Sequence, residues 1–214
     1  GSTTATKIAM TNVALVSDAT ATTTFVPAEN GTYTVDGKAI TEEYSNTQSS
    51  MTAYQVVATP AEGYQFLGWY NLTTGKCIAT ATSTALNIES DCTITANYEQ
   101  NSYTVRFVDY DGTELSVQTV LHSEAAELPA SPAREGYTFV GWSGDVSAVT
   151  CDMTVTALYA VKTCTVFFTD WDGTVLKTQE VNYGEAAEAP QAPSREGYTF
   201  TGWSGDYTNV TESR

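Results

Sequence analysis

Residues 103–145, YTVRFVDYDGTELSVQTVLHSEAAELPASPAREGYTFVGWSGD, and residues 164–206, CTVFFTDWDGTVLKTQEVNYGEAAEAPQAPSREGYTFTGWSGD, align without a gap at an offset of 61. A self-similar period of this length means a small structural unit written in tandem, with stability expected mainly from within units and weaker contacts between neighbours. A more distant copy precedes them. GYQFLGWY (63–70) matches GYTFVGWS (136–143), and TITANY (93–98) matches TVTALY (154–159), with about twelve extra residues between those landmarks in the first copy. Its opening strand is expected over 21–35, followed by an excursion over 36–51. Residues 3–19 alternate loosely and read as a strand without an assigned partner.

Each copy reads alike. The alternation of Tyr103, Val105 and Phe107 marks a half-buried strand. Asp-Gly then turns the chain tightly into a returning strand, TELSVQTV, to make a hairpin. SEAAELP and GEAAEAP read as one or two helical turns stopped by proline. GYTFVGW is a third strand and TVTALYA a fourth. The order β-β-α-β-β predicts a β-rich α+β class: tandem small β-grasp-like units in an elongated array. Boundaries are expected near 1–19, 20–100, 101–161 and 162–214. The last copy reaches Arg214 before its counterpart of TVTALYA. This predicts either poor order or an open sheet edge filled by a strand from another chain.

The paired motifs YTVxFxDxDGT, GEAAEAP, REGYTFxGWSGD and TVTALY resemble the Listeria–Bacteroides repeat, the B-repeat family first known from internalins. That likeness covers residues 101–214. Residues 20–100, through ATPAEGYQFLGWYN and CTITANYE, resemble a divergent form of the same repeat. The resemblance implies a β-grasp fold, a tandem arrangement and display on a bacterial surface protein, extracellular or secreted. It also implies that the sequons at Asn30, Asn71 and Asn209 carry no glycan.

One motif suggests chemistry. An apolar run leading into Asp170-x-Asp172-Gly173-Thr174, and again into Asp109-x-Asp111-Gly112-Thr113, is how dehalogenase-type phosphatases present a nucleophile. That chemistry needs a further Lys, Ser/Thr and acidic pair around Mg²⁺. Only 44 residues follow Asp170. The first copy keeps Asn30-Gly31-Thr32 but loses both carboxylates, so the shared feature is a turn at Gly31, Gly112 and Gly173. A calcium ion would need six to eight oxygens, which one turn does not supply. No cofactor, no metal and no enzymatic activity are expected. His122 is the single histidine, which leaves no Ser-His-Asp triad beyond it. It reads as a surface residue, with Asn182 at the corresponding place of the last copy.

Binding is the remaining class. Trp69, Trp142 and Trp203 recur at one point of the third strand and read as core. Tyr110 and Trp171 precede the Asp-Gly corner at hairpin tips, where they either stack on sugars, with Tyr70 from the first copy, or pack on a neighbouring copy. The chain carries 25 acidic and 9 basic residues, a net charge of −16. This argues against nucleic acid and anionic membranes. No apolar stretch approaches the ~20 residues of a membrane span, and the leading Gly-Ser reads as an expression scar. The expected partners are a protein or a glycan on a cell surface, met by a non-catalytic stalk or adhesive segment. A carbohydrate-binding module is the alternative.

Four cysteines complete the reading. Bridging Cys77 and Cys92 across a hairpin would contribute roughly 3 kcal/mol through loop closure; buried reduced thiols are the other possibility. Cys151 and Cys164 flank a strand spanning about 23 Å, too far for a disulfide unless the chain doubles back.

Overall fold

The computed structural model describes residues 19–50 and 52–214. The strand expected over residues 3–19 lies, apart from residue 19, outside that range. The chain divides into two compact units, one ending at Asn101 and one running from Ser102 to Arg214.

The first unit is built from β1 (Thr20–Phe25), β2 (Gly31–Val35), β3 (Lys38–Ala39), β4 (Tyr44–Ser49), β5 (Tyr54–Pro60), β6 (Tyr64–Asn71), β7 (Lys76–Ala79), β8 (Ser83–Leu86) and β9 (Cys92–Gln100). These form two sheets, ordered β4-β1-β9-β6-β7 and β3-β2-β5-β8. Alternation decides which side chains face inward: Ala21, Thr23 and Phe25 from β1, and Tyr54, Val56 and Ala58 from β5. Rings from the two sheets meet edge to face. Phe25 lies 5.0 Å from Tyr54, and Tyr33 lies 5.3 Å from Trp69, which is fully buried.

The single opening strand expected over 21–35 is in fact two strands in different sheets. The chain leaves the first sheet at Pro27, turns at Asn30 (φ 63°) and enters the second as β2. Gly31 is therefore not a hairpin corner like Gly112. It is where the Tyr98 ring crosses the backbone: a Cβ there would lie 2.6 Å from the ring, whose hydroxyl donates to the Thr32 carbonyl at 2.5 Å.

The second unit holds β10 (Ser102–Val108), β11 (Glu114–Leu121), β12 (Tyr137–Trp142), β13 (Met153–Val161), β14 (Thr163–Thr169) and β15 (Val175–Asn182). The first four make a sheet ordered β11-β10-β13-β12, with β10 parallel to β13. The same arrangement occurs in the first unit, where β4-β1-β9-β6 has β1 parallel to β9. The landmark strands of the repeat are thus equivalent in space.

No helix occurs among the described residues. The helix-bearing β-grasp expected from the sequence is corrected to an all-β architecture, and the error lies in the crossover from β11 to β12. Nucleating a helix fixes several residues for one hydrogen bond, and here few residues precede Pro129 and Pro132. Each proline also pushes the residue before it toward extended backbone. Strand-like bonds to the loop before β13 take the backbone groups instead. Ser123 N–H donates to Val149, Val149 N–H to Glu124 and Ala126 N–H to Val146, at 2.8–2.9 Å. The Gln118 side chain clamps Glu127, accepting its N–H at 2.9 Å and donating to its carbonyl at 2.6 Å. The last copy repeats the scheme with Gly184, Val210, Glu185, Ala187 and Tyr207. Ala126, Val149, Val105, Phe107 and Val155 bury together beneath the sheet.

In the last copy only β14 and β15 form a ladder. Arg214 begins a further pairing, accepting from Phe167 N–H at 2.8 Å and donating its own N–H to Thr165 at 3.0 Å. Residues 198–203, the counterpart of β12, are not in a strand.

A tyrosine joins the two copies within this unit. Register places Leu121 opposite Ser102 and Asn182 opposite Thr163. The counterpart of His122 is therefore Tyr183, not Asn182. The Tyr183 ring lies on Gly136 of the preceding copy, its hydroxyl donates to Glu135 at 2.9 Å, and its N–H reaches Lys162. Lys162 N–H in turn donates to the Gly136 carbonyl at 2.9 Å.

Two outcomes follow. Hydrogen exchange should protect the amides of 137–142 that face β13 and leave those of 199–203 exchanging freely, although the two segments differ little in sequence. Gly136 has φ 74°, and a Cβ there would lie 2.5 Å from Tyr183. Gly136→Ala should cost about 1–2 kcal/mol from the left-handed backbone alone, read as a lowered midpoint in urea unfolding.

Candidate functional site

The two hairpin tips carry the densest polar and aromatic chemistry of the second unit. At the first, Asp109 N–H donates to Thr113 and Gly112 N–H to Asp109, at 2.8 and 3.0 Å. Gly112 has φ 86° and Asp111 stays at negative φ. The corner is thus a four-residue turn with glycine in the left-handed position and a register shift after Phe107. The tight Asp-Gly turn expected from the sequence is present, with positive φ at the glycine and not at the aspartate. Asp170–Thr174 repeats it.

Each carboxylate is held locally through one oxygen. Asp109 accepts from Tyr110 N–H and Asp111 from Thr113 N–H; Asp170 and Asp172 do the same for Trp171 and Thr174, at 2.8–3.0 Å. Backbone and side-chain bonds from Thr113 and Thr174 hold Asp111 and Asp172 below the ordinary carboxylate value of 3.8. Asp109 also accepts from the Tyr159 hydroxyl at 2.7 Å. Desolvation and that bond push the Tyr159 phenol up to about 12. Among the described residues no three His, Cys, Asp or Glu side chains converge as a metal site. The geometry is that of a turn lock.

Above the lock sits an aromatic–guanidinium sandwich. The Arg134 guanidinium lies 3.7 Å from the ring centroids of both Tyr110 and Tyr137. In the last copy Arg195 lies 3.8 Å from both Trp171 and Tyr198. The turn that swings arginine back over tyrosine is local: Tyr137 N–H donates to Arg134, and Tyr198 N–H to Arg195, each at 3.1 Å. The first copy has the same turn, Ala61 to Tyr64, with no arginine to stack. Each contact contributes about 0.5–1 kcal/mol at an exposed site, enough to orient a ring without hiding it. Tyr110 remains 52% exposed, Trp171 68% and Tyr198 66%. Ring faces beside guanidinium donors suit a sugar ring or an aromatic-bearing peptide.

Arg134, Arg195, Tyr137 and Tyr198 were not singled out from the sequence. The signal was Arg-Glu-Gly-Tyr, present at 134–137 and 195–198, a turn that sets its first residue over its fourth. Tyr110 and Trp171 stack on arginines of their own copies. Tyr70 lies half-buried near the end of β6, opposite Cys77 and just before the β6–β7 turn. Trp142 and Trp203 are half-buried, each edge-on to two phenylalanines: Phe107 and Phe139 at 5.2 and 5.4 Å, Phe168 and Phe200 at 5.2 and 5.3 Å. All four cysteines are free thiols, with Cys92 and Cys164 buried and Cys77 and Cys151 exposed. His122 is half-buried with Nδ1 3.3 Å from the Tyr103 hydroxyl.

Comparison with known proteins agrees with this organisation. Residues 103–161 and 165–213 match the Listeria-Bacteroides repeat domain, and residues 21–102 match the divergent InlB B-repeat domain. The chain is 40% identical over 113 residues to internalin H of Listeria monocytogenes, covering 48% of this chain and 20% of that protein. It is 30% identical over 155 residues to a "Putative membrane protein" of Evansella cellulosilytica, covering 66% and 23%. A "Putative Gly-rich membrane protein" of the same organism is 28% identical over 180 residues, covering 78% and 20%. The chain thus spans between a fifth and a quarter of these relatives' length.

The turn lock gives a pH dependence of definite sign. Asp111 and Asp172 have depressed values in the folded chain, so their contribution is complete above 3.8 and is lost as pH falls through the lower folded values. The thermal midpoint should be flat between about pH 7 and pH 5 and fall below about pH 4. An Asp111→Asn/Asp172→Asn variant should show a shallower acid fall.

Proposed function

Because the chain belongs to the Listeria-Bacteroides repeat family, with a divergent InlB B-repeat ahead of two standard copies, we propose that it is a repeat segment of a bacterial cell-surface protein, acting without catalysis as stalk and adhesive module. The observation that carries this reading is the aromatic–guanidinium tip. It is built twice at the same offset, preorganised by arginine and left open to solvent. The Tyr183 joint supports the stalk role, since backbone and side-chain bonds there fix one copy on the next. The names of the relatives, an internalin and two membrane proteins, are consistent with an exposed location.

A second reading, a carbohydrate-binding module, is favoured at one place. Trp171 has one face on Arg195 and is the most exposed large hydrophobic residue described. Stacking on a pyranose there would use the open face, with guanidinium N–H groups as flanking donors. Tyr110 would serve the same role in the copy before it.

One experiment separates these. The labelled chain is applied to a glycan array and to immobilised host-surface glycoproteins, alongside Trp171→Ala and Tyr110→Ala. Retention on glycoproteins that falls at least roughly tenfold in the double variant, a loss typical of aromatic hot spots, is the expected result. Defined glycan hits abolished by Trp171→Ala alone would favour the carbohydrate reading. Retention unchanged by both substitutions would remove the tips from function and overturn the adhesive part.

A further inference from the structure

The first unit shows what the second leaves open. β6 and β12 are equivalent strands: each runs antiparallel to the last strand of its sheet, each carries Gly-Trp, and each has a register shift just before that glycine. In the first unit the outer edge of β6 is covered by β7, with Trp69 opposite Ala79, Tyr70 opposite Cys77 and Asn71 opposite Lys76. The bulge glycine fits this strand closely. A Cβ on Gly68 would lie 2.7 Å from Cys77 Sγ and 2.9 Å from the Ala79 carbonyl oxygen. Just past β7, the Ala81 carbonyl accepts the Trp69 indole N–H at 3.0 Å.

Each of these partners is missing at β12. It is an edge strand of its sheet. Gly141 has the bulge conformation, φ 142°, yet nothing lies within 4 Å of where its Cβ would be. Among the described residues the Trp142 indole N–H has no hydrogen-bond partner, and the ring is half-buried. Beside it runs a groove lined by Leu128, Pro129, Phe139, Val146 and Asp145, with no lysine or arginine in its wall. The edge, the bulge slot and the indole N–H are the three features that β7 and Ala81 satisfy in the first unit.

We propose that β12 and this groove form a docking site for an extended, lysine-bearing peptide segment of another protein, which adds a strand to the sheet. The occupant's chemistry is read from the segment that fills the equivalent place. Backbone groups pair with the edge of β12, a small side chain lies opposite Trp142, and the next carbonyls reach the indole N–H. The residue in the register position of Lys76 falls opposite Gly144, beside the Asp145 carboxylate, so a cation is favoured there. This chain's own Lys76–Ala79 is already engaged on β6, so that segment of a second copy is not the source. The site is distinct from the hairpin tips, and its fate does not depend on theirs.

The probe is a synthetic peptide with the sequence of residues 74–84, Cys77 replaced by serine, added to the nitrogen-labelled full chain. The Trp142 indole N–H and the amides of 137–142 should shift on titration. Asp145→Lys, at an exposed position, should weaken binding roughly threefold, the scale of a surface ion pair. A peptide with glutamate at the Lys76 position should bind weakly to the parent chain and recover on Asp145→Lys. Trp142→Phe should weaken binding roughly tenfold through one lost hydrogen bond, and the charge swap stands independently if that core substitution unfolds the unit. Shifts confined to β6, no shifts at all, or binding indifferent to the charge swap would overturn the proposal. So would self-association of the chain through β12 without peptide.

Discussion

The parallel pairing of first and last strands is the constraint on which each copy depends. Adjacent parallel strands cannot be joined by a hairpin and need a crossover of a dozen or more residues. β10 and β13 meet this way, as do β1 and β9. Whatever fills the crossover must also cover the buried face of the sheet. The standard copy does so with proline-broken extended chain tied to the loop before β13; the divergent copy does so with a second sheet. One topological demand thus has two solutions, and the second yields a larger core built on Trp69, Tyr33, Tyr54 and Phe25.

The acidic corner shows how a chemically suggestive motif can be structural. Asp-x-Asp-Gly-Thr supplies two acceptors for its own backbone N–H groups, a glycine for the left-handed position and a carboxylate that takes the Tyr159 hydroxyl. Once these bonds are made, the tip is fixed and the aromatic between the two aspartates is held out into solvent. Arginine then orients that ring from one side. A stiff, exposed aromatic is a favourable contact residue because little conformational entropy is lost when it binds.

The legibility of the chain followed the range of the interactions involved. Tandem copies, hairpin strands and corner glycines at Gly112 and Gly173 depend on local chemistry and could be read directly. The helix in the crossover was misread because alanine and glutamate favour helix, while the competing bonds come from a loop about twenty residues away. Gly31 was misread because its partner is the Tyr98 ring, sixty-seven residues further on. The arginine sandwich went unseen because Arg-Glu-Gly-Tyr looks like loop until the hairpin tip arrives beside it.

By itself the sequence determined a small unit repeated three times, its alternating strands, its turn chemistry and its family, because periodicity and turn preference are properties of neighbouring residues. Only the tertiary structure decided that the crossover is extended, that the first copy has two sheets and that the edge beside Trp69 is covered while that beside Trp142 is open. Those outcomes rest on which distant backbone groups and rings compete for the same partners, and local sequence does not encode that competition.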